Sequence, residues 1–197
     1  MNIGIDLDEC LSEYVFGFLN YYNDTYNTNF HFNDVKDFGF WKLIGGTREE
    51  AINIVSSFYK TSYFKELPVV FGSRNTVEEL KKFSELFVVT SRPNDIINKT
   101  NQWIDQHFHN KFSKIIFTNE LSRSGERKRK LEICKNLRLD FLVEDNIEYA
   151  LDCARTKTKV FLLDKPWNQS ERKLNEISRV YNWNEILEWI EEIKNGK

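Results

Sequence analysis

The tightest constraint on this chain is a set of short segments that are apolar on successive residues: 2–6 (NIGID), 86–91 (LFVVTS), 114–118 (KIIFT), 141–145 (FLVED) and 159–164 (KVFLLD). A strand with one wet face alternates apolar and polar side chains. Uninterrupted apolar runs of this length belong instead to strands covered on both faces. Helical patterns separate them. In 94–108, Ile96, Ile97, Thr100, Trp103, Ile104 and Phe108 share a stripe, and Asn146 stands where it can cap a helix over 147–155. In 76–85, Thr76 and Glu79 have capping-box spacing, with Val77, Leu80 and Phe83 on one face. A last helix opens with Asn182 and Glu185 and buries Ile186, Ile190 and Ile193. Strand and helix alternate, so the expected fold is an α/β doubly wound parallel sheet.

One stretch breaks the alternation. Between the first and second apolar runs lie about 80 residues with no strand pattern, far more than a βαβ connection requires. Leu11, Tyr14, Val15, Phe18, Leu19 and Tyr22 recur at helical spacing over 11–26, and Thr47 with Glu50 opens a second helix reaching about Tyr59. These features predict a small helical cap inserted after the first strand, over 14–74. The α/β core then comprises 1–13 and 75–197.

A chain of 197 residues can bury one proper core with such an insertion. Its formal net charge of −2 calls for neither nucleic acid nor an anionic membrane surface as partner. The cysteines, Cys10, Cys134 and Cys153, are odd in number and lack CxxC spacing, which disfavours a disulfide framework or a zinc site. No apolar run approaches the roughly 18 residues of a membrane span. Strand-like sequence begins at Asn2 with nothing resembling a signal peptide, so the expected location is cytoplasmic.

In an open α/β sheet, ligands bind beyond the carboxyl ends of the strands. Here the first run ends in Asp6 and Asp8, which face the same way because strand side chains repeat every second residue. The second ends in Thr90, Ser91 and Arg92, and the fourth in Glu144, Asp145 and Asn146. The basic run RKRK, 127–130, opens a helix just before that fourth segment. Carboxylates from two strands, a hydroxyl and a cation make a site for Mg²⁺ and a phosphate. The bland readings are capping or solvated acids for Asp6 and Asp8, a strand-end residue for Thr90, and a solvated surface for RKRK. Cys10 reads as a small packing residue, and His31, His107 and His109 show no ligand spacing.

This order, DLDEC at 6–10, TSR at 90–92, a lysine near 130 and VEDN at 143–146, resembles the haloacid dehalogenase superfamily of phosphotransferases. The resemblance implies Asp6 as nucleophile and Asp8 as general acid and base. It implies Mg²⁺ held by Asp6, the Asp8 backbone carbonyl and Asp145. Thr90 and the Ser91 N–H would hold a phosphoryl oxygen, and Lys130, with Lys128 as the other candidate, would balance charge. Tyr14, Phe40 and Trp41, with the stretches 58–73 and 179–186, extend the resemblance to the 5′(3′)-deoxyribonucleotidases. There an aromatic matching Tyr14 and a Phe-Trp pair matching Phe40 and Trp41 enclose the nucleoside, while Phe38 reads as cap packing. Arg92 departs from the proline of the animal enzymes and would contact the phosphate or leaving group, or form a salt bridge.

The activity so implied is a phosphatase of (deoxy)nucleoside monophosphates working through an aspartyl-phosphate. Its partner is a small phosphomonoester, and a homodimer is left open. The competing readings are a phosphatase of another small phosphomonoester, such as a sugar phosphate or phosphoserine, and a non-catalytic nucleotide-binding module. A kinase is disfavoured because no GxxxxGK[ST] loop occurs.

Overall fold

The computed structural model describes residues 1–37, 41–119, 129–169 and 175–196, with Trp41 described in its backbone alone. Its centre is a six-stranded sheet with the order β3-β2-β1-β4-β5-β6, formed by β1 (Asn2–Ile5), β2 (Glu85–Thr90), β3 (Lys114–Phe117), β4 (Phe141–Glu144), β5 (Lys159–Leu163) and β6 (Ile177–Val180). Every pairing is parallel; Ile3 lies opposite Leu86 on one side and Phe141 on the other. The strand order reverses beside β1, which creates a crevice at the carboxyl ends of β1 and β4. That crevice is where the acidic strand ends meet.

The expected strands are all present. β6 was not among them, because its ISRV sequence carries a Ser-Arg pair and pairs on one side alone, so it never needs a continuous apolar run. Ile3, Ile5, Leu7, Val88, Val143 and Ile186 bury completely in one core cluster, and Leu142, Ala150 and Cys153 in a second.

Helices fill the connections. The segment between β1 and β2 holds α1 (Tyr14–Tyr26), a 3₁₀ turn (Phe32–Asp34), α2 (Trp41–Ile44), α3 (Arg48–Phe58), α4 (Ser62–Lys65) and α5 (Ser73–Lys81). The Thr47–Glu50 capping box forms, with Glu50 N–H donating to Thr47 Oγ1 at 3.2 Å and Thr47 N–H to Glu50 Oε2 at 2.6 Å. The box expected at Thr76 and Glu79 does not form. Gly72, at φ +83°, occupies the N-cap of α5, and Thr76 lies inside the helix donating its hydroxyl to the Trp183 carbonyl at 3.2 Å. A tertiary acceptor outcompeted the local one.

The remaining helices are α6 (Ile97–Phe108), entered through a 3₁₀ turn at Asn94–Ile96, then α7 (Lys130–Leu137), α8 (Ile147–Ala154) and α9 (Trp183–Lys194). Asn146 and Asn182 both cap as expected. No helix among the described residues is long and apolar enough to cross a membrane.

Aromatic rings knit the first helices together: Phe58 packs edge-on against Tyr14, Phe18 and Phe64, with centroids 5.4–5.6 Å apart. Such close packing leaves no room at Gly17, where an added Cβ would lie 2.3 Å from Leu67 Cδ2 and 3.4 Å from the Tyr63 carbonyl. Alanine normally favours a helix interior by about 1 kcal/mol over glycine. Overpacking reverses that preference here, because Leu67 is itself fully buried. Gly17→Ala is expected to destabilise the protein by about 1–3 kcal/mol, read from urea unfolding; unchanged or raised stability would show that α1 does not pack this tightly.

Candidate active site

The site grows from the way the chain leaves β1. Asp6 still belongs to the sheet, its N–H donating to the Val143 carbonyl at 2.9 Å. The backbone then closes into a tight turn in which Leu11 and Ser12 N–H both donate to the Leu7 carbonyl at 2.9 Å, and Glu9 N–H donates to the Ser12 carbonyl at 2.7 Å. Glu9 pays for that turn with a left-handed φ of +62°. Its buried carboxylate is held in compensation: Oε1 accepts the Val15 N–H of the first turn of α1 at 2.7 Å, and Oε2 accepts from Lys165 Nζ at 3.2 Å.

Cations answer the crowded acids one group at a time. Lys130, at the start of α7, donates to Asp6 Oδ1 at 2.6 Å and to Glu144 Oε2 at 2.8 Å, and its ammonium lies 4.6 Å from the Tyr149 ring centroid. Glu144 Oε1 accepts the Asp145 and Asn146 N–H groups, each at 3.0 Å, which orients Asp145. Asp8 is gripped by Arg92, whose Nη2 reaches Oδ1 at 2.6 Å and whose Nε lies 3.1 Å from both oxygens. Asp145 receives Trp167 Nε1–H on Oδ2 at 2.8 Å, and Asn168 donates to its backbone carbonyl at 2.7 Å.

Among the described residues, five carboxylates, Asp6, Asp8, Glu9, Glu144 and Asp145, thus meet three cations, Lys130, Arg92 and Lys165. Two negative charges are left over in a buried place, where such an excess is expensive. Burial, followed by Glu144 and Asp8, pushes the Asp6 carboxyl up to about 7 against the pull of Lys130. Asp145 is driven well above the usual carboxylate range by burial, Glu144, Asp6 and Glu9.

One divalent ion would restore the balance, and the donors suit it. Ligand atoms of Asp6, Cys10 and Asp145 all lie within 4.8 Å of one another. Burial and the neighbouring carboxylates raise the Cys10 thiol well above its ordinary range, so it stays neutral and acts as packing. Two hard carboxylates from different strands remain, the donor type for Mg²⁺.

A cavity of about 640 Å³ opens at these strand ends. Its lining includes Asp6, Asp8, Ser91, Lys130, Glu144 and Asp145, the apolar Val35, Ala51, Ile52, Val55 and Ile96 with Tyr14 and Tyr59, and the charged Asp37, Arg48, Lys60, Asp95 and Lys99. Tyr14 is buried and its hydroxyl lies 3.4 Å from that of Tyr59. Between the two strand-end hydroxyls, Ser91 Oγ is buried with no protein partner, whereas Thr90 Oγ1 accepts the Arg92 N–H at 3.2 Å. Ser91 lines the cavity, with its hydroxyl oxygen itself buried. Of the two roles open to Arg92, the structure shows the salt bridge. Phe38, Phe40 and Lys128 lie outside the described residues, as does the side chain of Trp41.

Sequence reasoning overlooked Lys165, Trp167 and Asn168. They occupy the loop after β5, whose carboxyl end faces the same crevice, so the strand-end rule that found Asp145 also pointed to them. Glu9 lies within the acidic DLDEC stretch, but its tie to α1 depends on a left-handed turn that no local pattern marks.

A parallel α/β sheet whose first strand ends in paired aspartates, faced by a lysine and a second acidic strand end, defines a haloacid dehalogenase-like hydrolase. The fold is shared with a haloacid dehalogenase-like hydrolase family protein from Streptococcus pneumoniae, at a TM-score of 0.71 and 16% identity over 96% of this chain and 97% of that one. Residues 1–195 match the family described as 5′ nucleotidase, deoxy (pyrimidine), cytosolic type C protein, and the chain belongs to that family. Its relatives include the 5′(3′)-deoxyribonucleotidase of Bacillus subtilis, 28% identical over 93% of this chain and 95% of the relative. Nucleotidase CA_C3379 of Clostridium acetobutylicum is 25% identical over 94% and 91%. The chain is a phosphatase of the nucleotidase type.

The charge excess has a consequence for stability. A carboxyl whose folded pKa is raised from 3.8 to about 7 binds more protons folded than unfolded across that window, so it costs stability as pH climbs through it. Asp6→Asn removes the penalty. Without divalent cations, the variant is expected to melt above the parent at pH 8, with the difference vanishing near pH 4; an equal or lower melting temperature at pH 8 would refute a strained Asp6.

Proposed function

We propose that this chain is a Mg²⁺-dependent hydrolase of (deoxy)nucleoside monophosphates that works through an aspartyl-phosphate on Asp6. The observation that carries this reading is the meeting of Asp6 and Asp145 within 4.8 Å, with Lys130 Nζ 2.6 Å from Asp6, at one wall of a large cavity. Asp6 attacks phosphorus and holds the phosphoryl group, dividing one displacement into two easier ones. Asp8 protonates the departing ester oxygen and afterwards takes a proton from the water that hydrolyses the aspartyl-phosphate. Lys130 offsets charge on Asp6, and the Thr90 hydroxyl and the Ser91 N–H donate to phosphoryl oxygens. Mg²⁺ held by Asp6, Asp145 and the Asp8 carbonyl would supply neutralisation of nucleophile and phosphate together.

Substrate size supports a nucleotide. A cavity of about 640 Å³ falls in the range of small-molecule sites and exceeds what a bare phosphate or a triose phosphate fills. Val35, Ala51, Ile52, Val55 and Ile96 give its lining apolar contacts that suit a base, beside the charged Arg48, Lys60 and Lys99. Residues 14–74 serve as the cap, with Tyr14, Phe40 and Trp41 enclosing the nucleoside and closure excluding water.

Phosphate release from a panel of phosphomonoesters, with Mg²⁺ and with chelator, tests the proposal. Nucleoside monophosphates are expected to turn over fastest, with loss of activity in chelator and recovery on adding Mg²⁺. Sugar phosphates outrunning nucleotides would reject the substrate class, and turnover in chelator would reject the metal. Asp6→Asn is expected to lower kcat by about 10³-fold or more, whereas near-parental turnover would place the nucleophile elsewhere.

A further inference from the structure

We propose that Arg92 is a positioning residue for the proton transfers of Asp8, and that it leaves Asp8 Oδ2 as the oxygen that carries the proton. This deepens the reading of Asp8 as the acid–base group and rests on it. The argument begins with how the carboxylate is shared out. Oδ1 accepts from Arg92 Nη2 at 2.6 Å, from Ser12 Oγ at 2.9 Å and from Arg92 Nε at 3.1 Å. Oδ2 has the forked Nε–H at 3.1 Å as its contact. An oxygen with three donors has little lone-pair capacity left, so the transferable proton belongs on Oδ2.

Arg92 is itself fastened. Its guanidinium is buried, with Nη1 3.3 Å from Thr100 Oγ1, Nη2 3.3 Å from Ser12 Oγ and the Phe64 ring centroid 4.8 Å from Cζ. A side chain held by α6, by the turn after β1 and by an aromatic face cannot swing out to a phosphate. What it can do is fix a short carboxylate through a planar fork, which a lysine's single ammonium cannot match. Asp8 keeps 27% of its side chain exposed beside the cavity, while Arg92 keeps 1%. The pair therefore presents an acid–base group to substrate from a rigid mount.

The chemistry separates this role from a merely structural one. When the ester P–O bond breaks and phosphorus passes to Asp6, the proton on Asp8 Oδ2 moves to the leaving oxygen. In the second half, Asp8 Oδ2 takes a proton from water as the new P–O bond forms and the acyl-phosphate P–O bond to Asp6 breaks, returning the Asp6 carboxylate. A nucleoside leaves as a strongly basic alkoxide and needs that first proton. Nitrophenolate does not.

The test compares kcat/KM, which reports the steps through the first P–O cleavage, for the best nucleoside monophosphate of the panel and for 4-nitrophenyl phosphate, both with Mg²⁺. Arg92→Lys is expected to lose about 100-fold on the nucleotide and at least about tenfold less on the aryl ester. Ser12→Ala, which removes one donor from Oδ1, should show the same substrate preference with a smaller loss. Equal losses on both substrates, or none on the nucleotide, would overturn the proposal. If Arg92→Lys does not fold, Ser12→Ala decides by the same ratio. Asp8→Asn in parallel keeps the two readings apart: its selective loss on the nucleotide upholds the acid, and equal loss there places the fault in the Asp8 assignment.

Discussion

Buried negative charge in excess of its local counterions is the constraint on which the site depends. Two acidic strand ends, β1 and β4, are neighbours in the sheet because β1 is central, and a parallel register brings their carboxyl ends to the same edge. Within that edge the described cations are already engaged: Lys130 bridges Asp6 and Glu144, Arg92 holds Asp8, and Lys165 holds Glu9. Uncompensated buried charge is destabilising unless something neutralises it. The upward shift of Asp6 and Asp145 follows from that crowding and from burial.

The three ion pairs divide the labour by geometry. Lys130 presents a point charge that two acids can share, Asp6 on one side and Glu144 on the other. Arg92 presents a fork and gives Asp8 one orientation. Lys165 comes from the loop after β5, and neighbouring Trp167 and Asn168 reach Asp145 from the same loop. The acids are thus braced from the second strand, from α7 and from the fifth strand, so a change in any of these connections reaches the chemistry.

Much of this was legible in the sequence because the governing patterns are local. Five strands announced themselves as continuous apolar runs, and the acids followed from their ends. What escaped was decided by tertiary partners. β6 has a polar centre and one neighbour, so its sequence looks like a loop. Thr76 was better served by the Trp183 carbonyl than by Glu79, which moved the start of α5 to Ser73. Arg92 was visible as a charge beside the second motif, but nothing in the chain order says that Asp8, eighty-four positions away, would be its partner.

Glu9 shows how the sheet edge and the helical insertion are joined. A non-glycine residue in the left-handed region costs about 1–2 kcal/mol, and burying its carboxylate adds to that. Offsetting contributions come from the Lys165 ion pair and from the Val15 N–H, one of the orphan donors at the start of α1. A glycine would adopt the turn without strain but could neither satisfy α1 nor engage the β5 loop. Holding a strained acid at this position therefore fixes the direction in which the insertion leaves the core, and with it the placement of Tyr14 on the cavity wall. The same turn that crowds Asp6 and Asp8 together also leads directly into α1 and holds its first turn through Glu9, so the acids and the first helix share one structural origin.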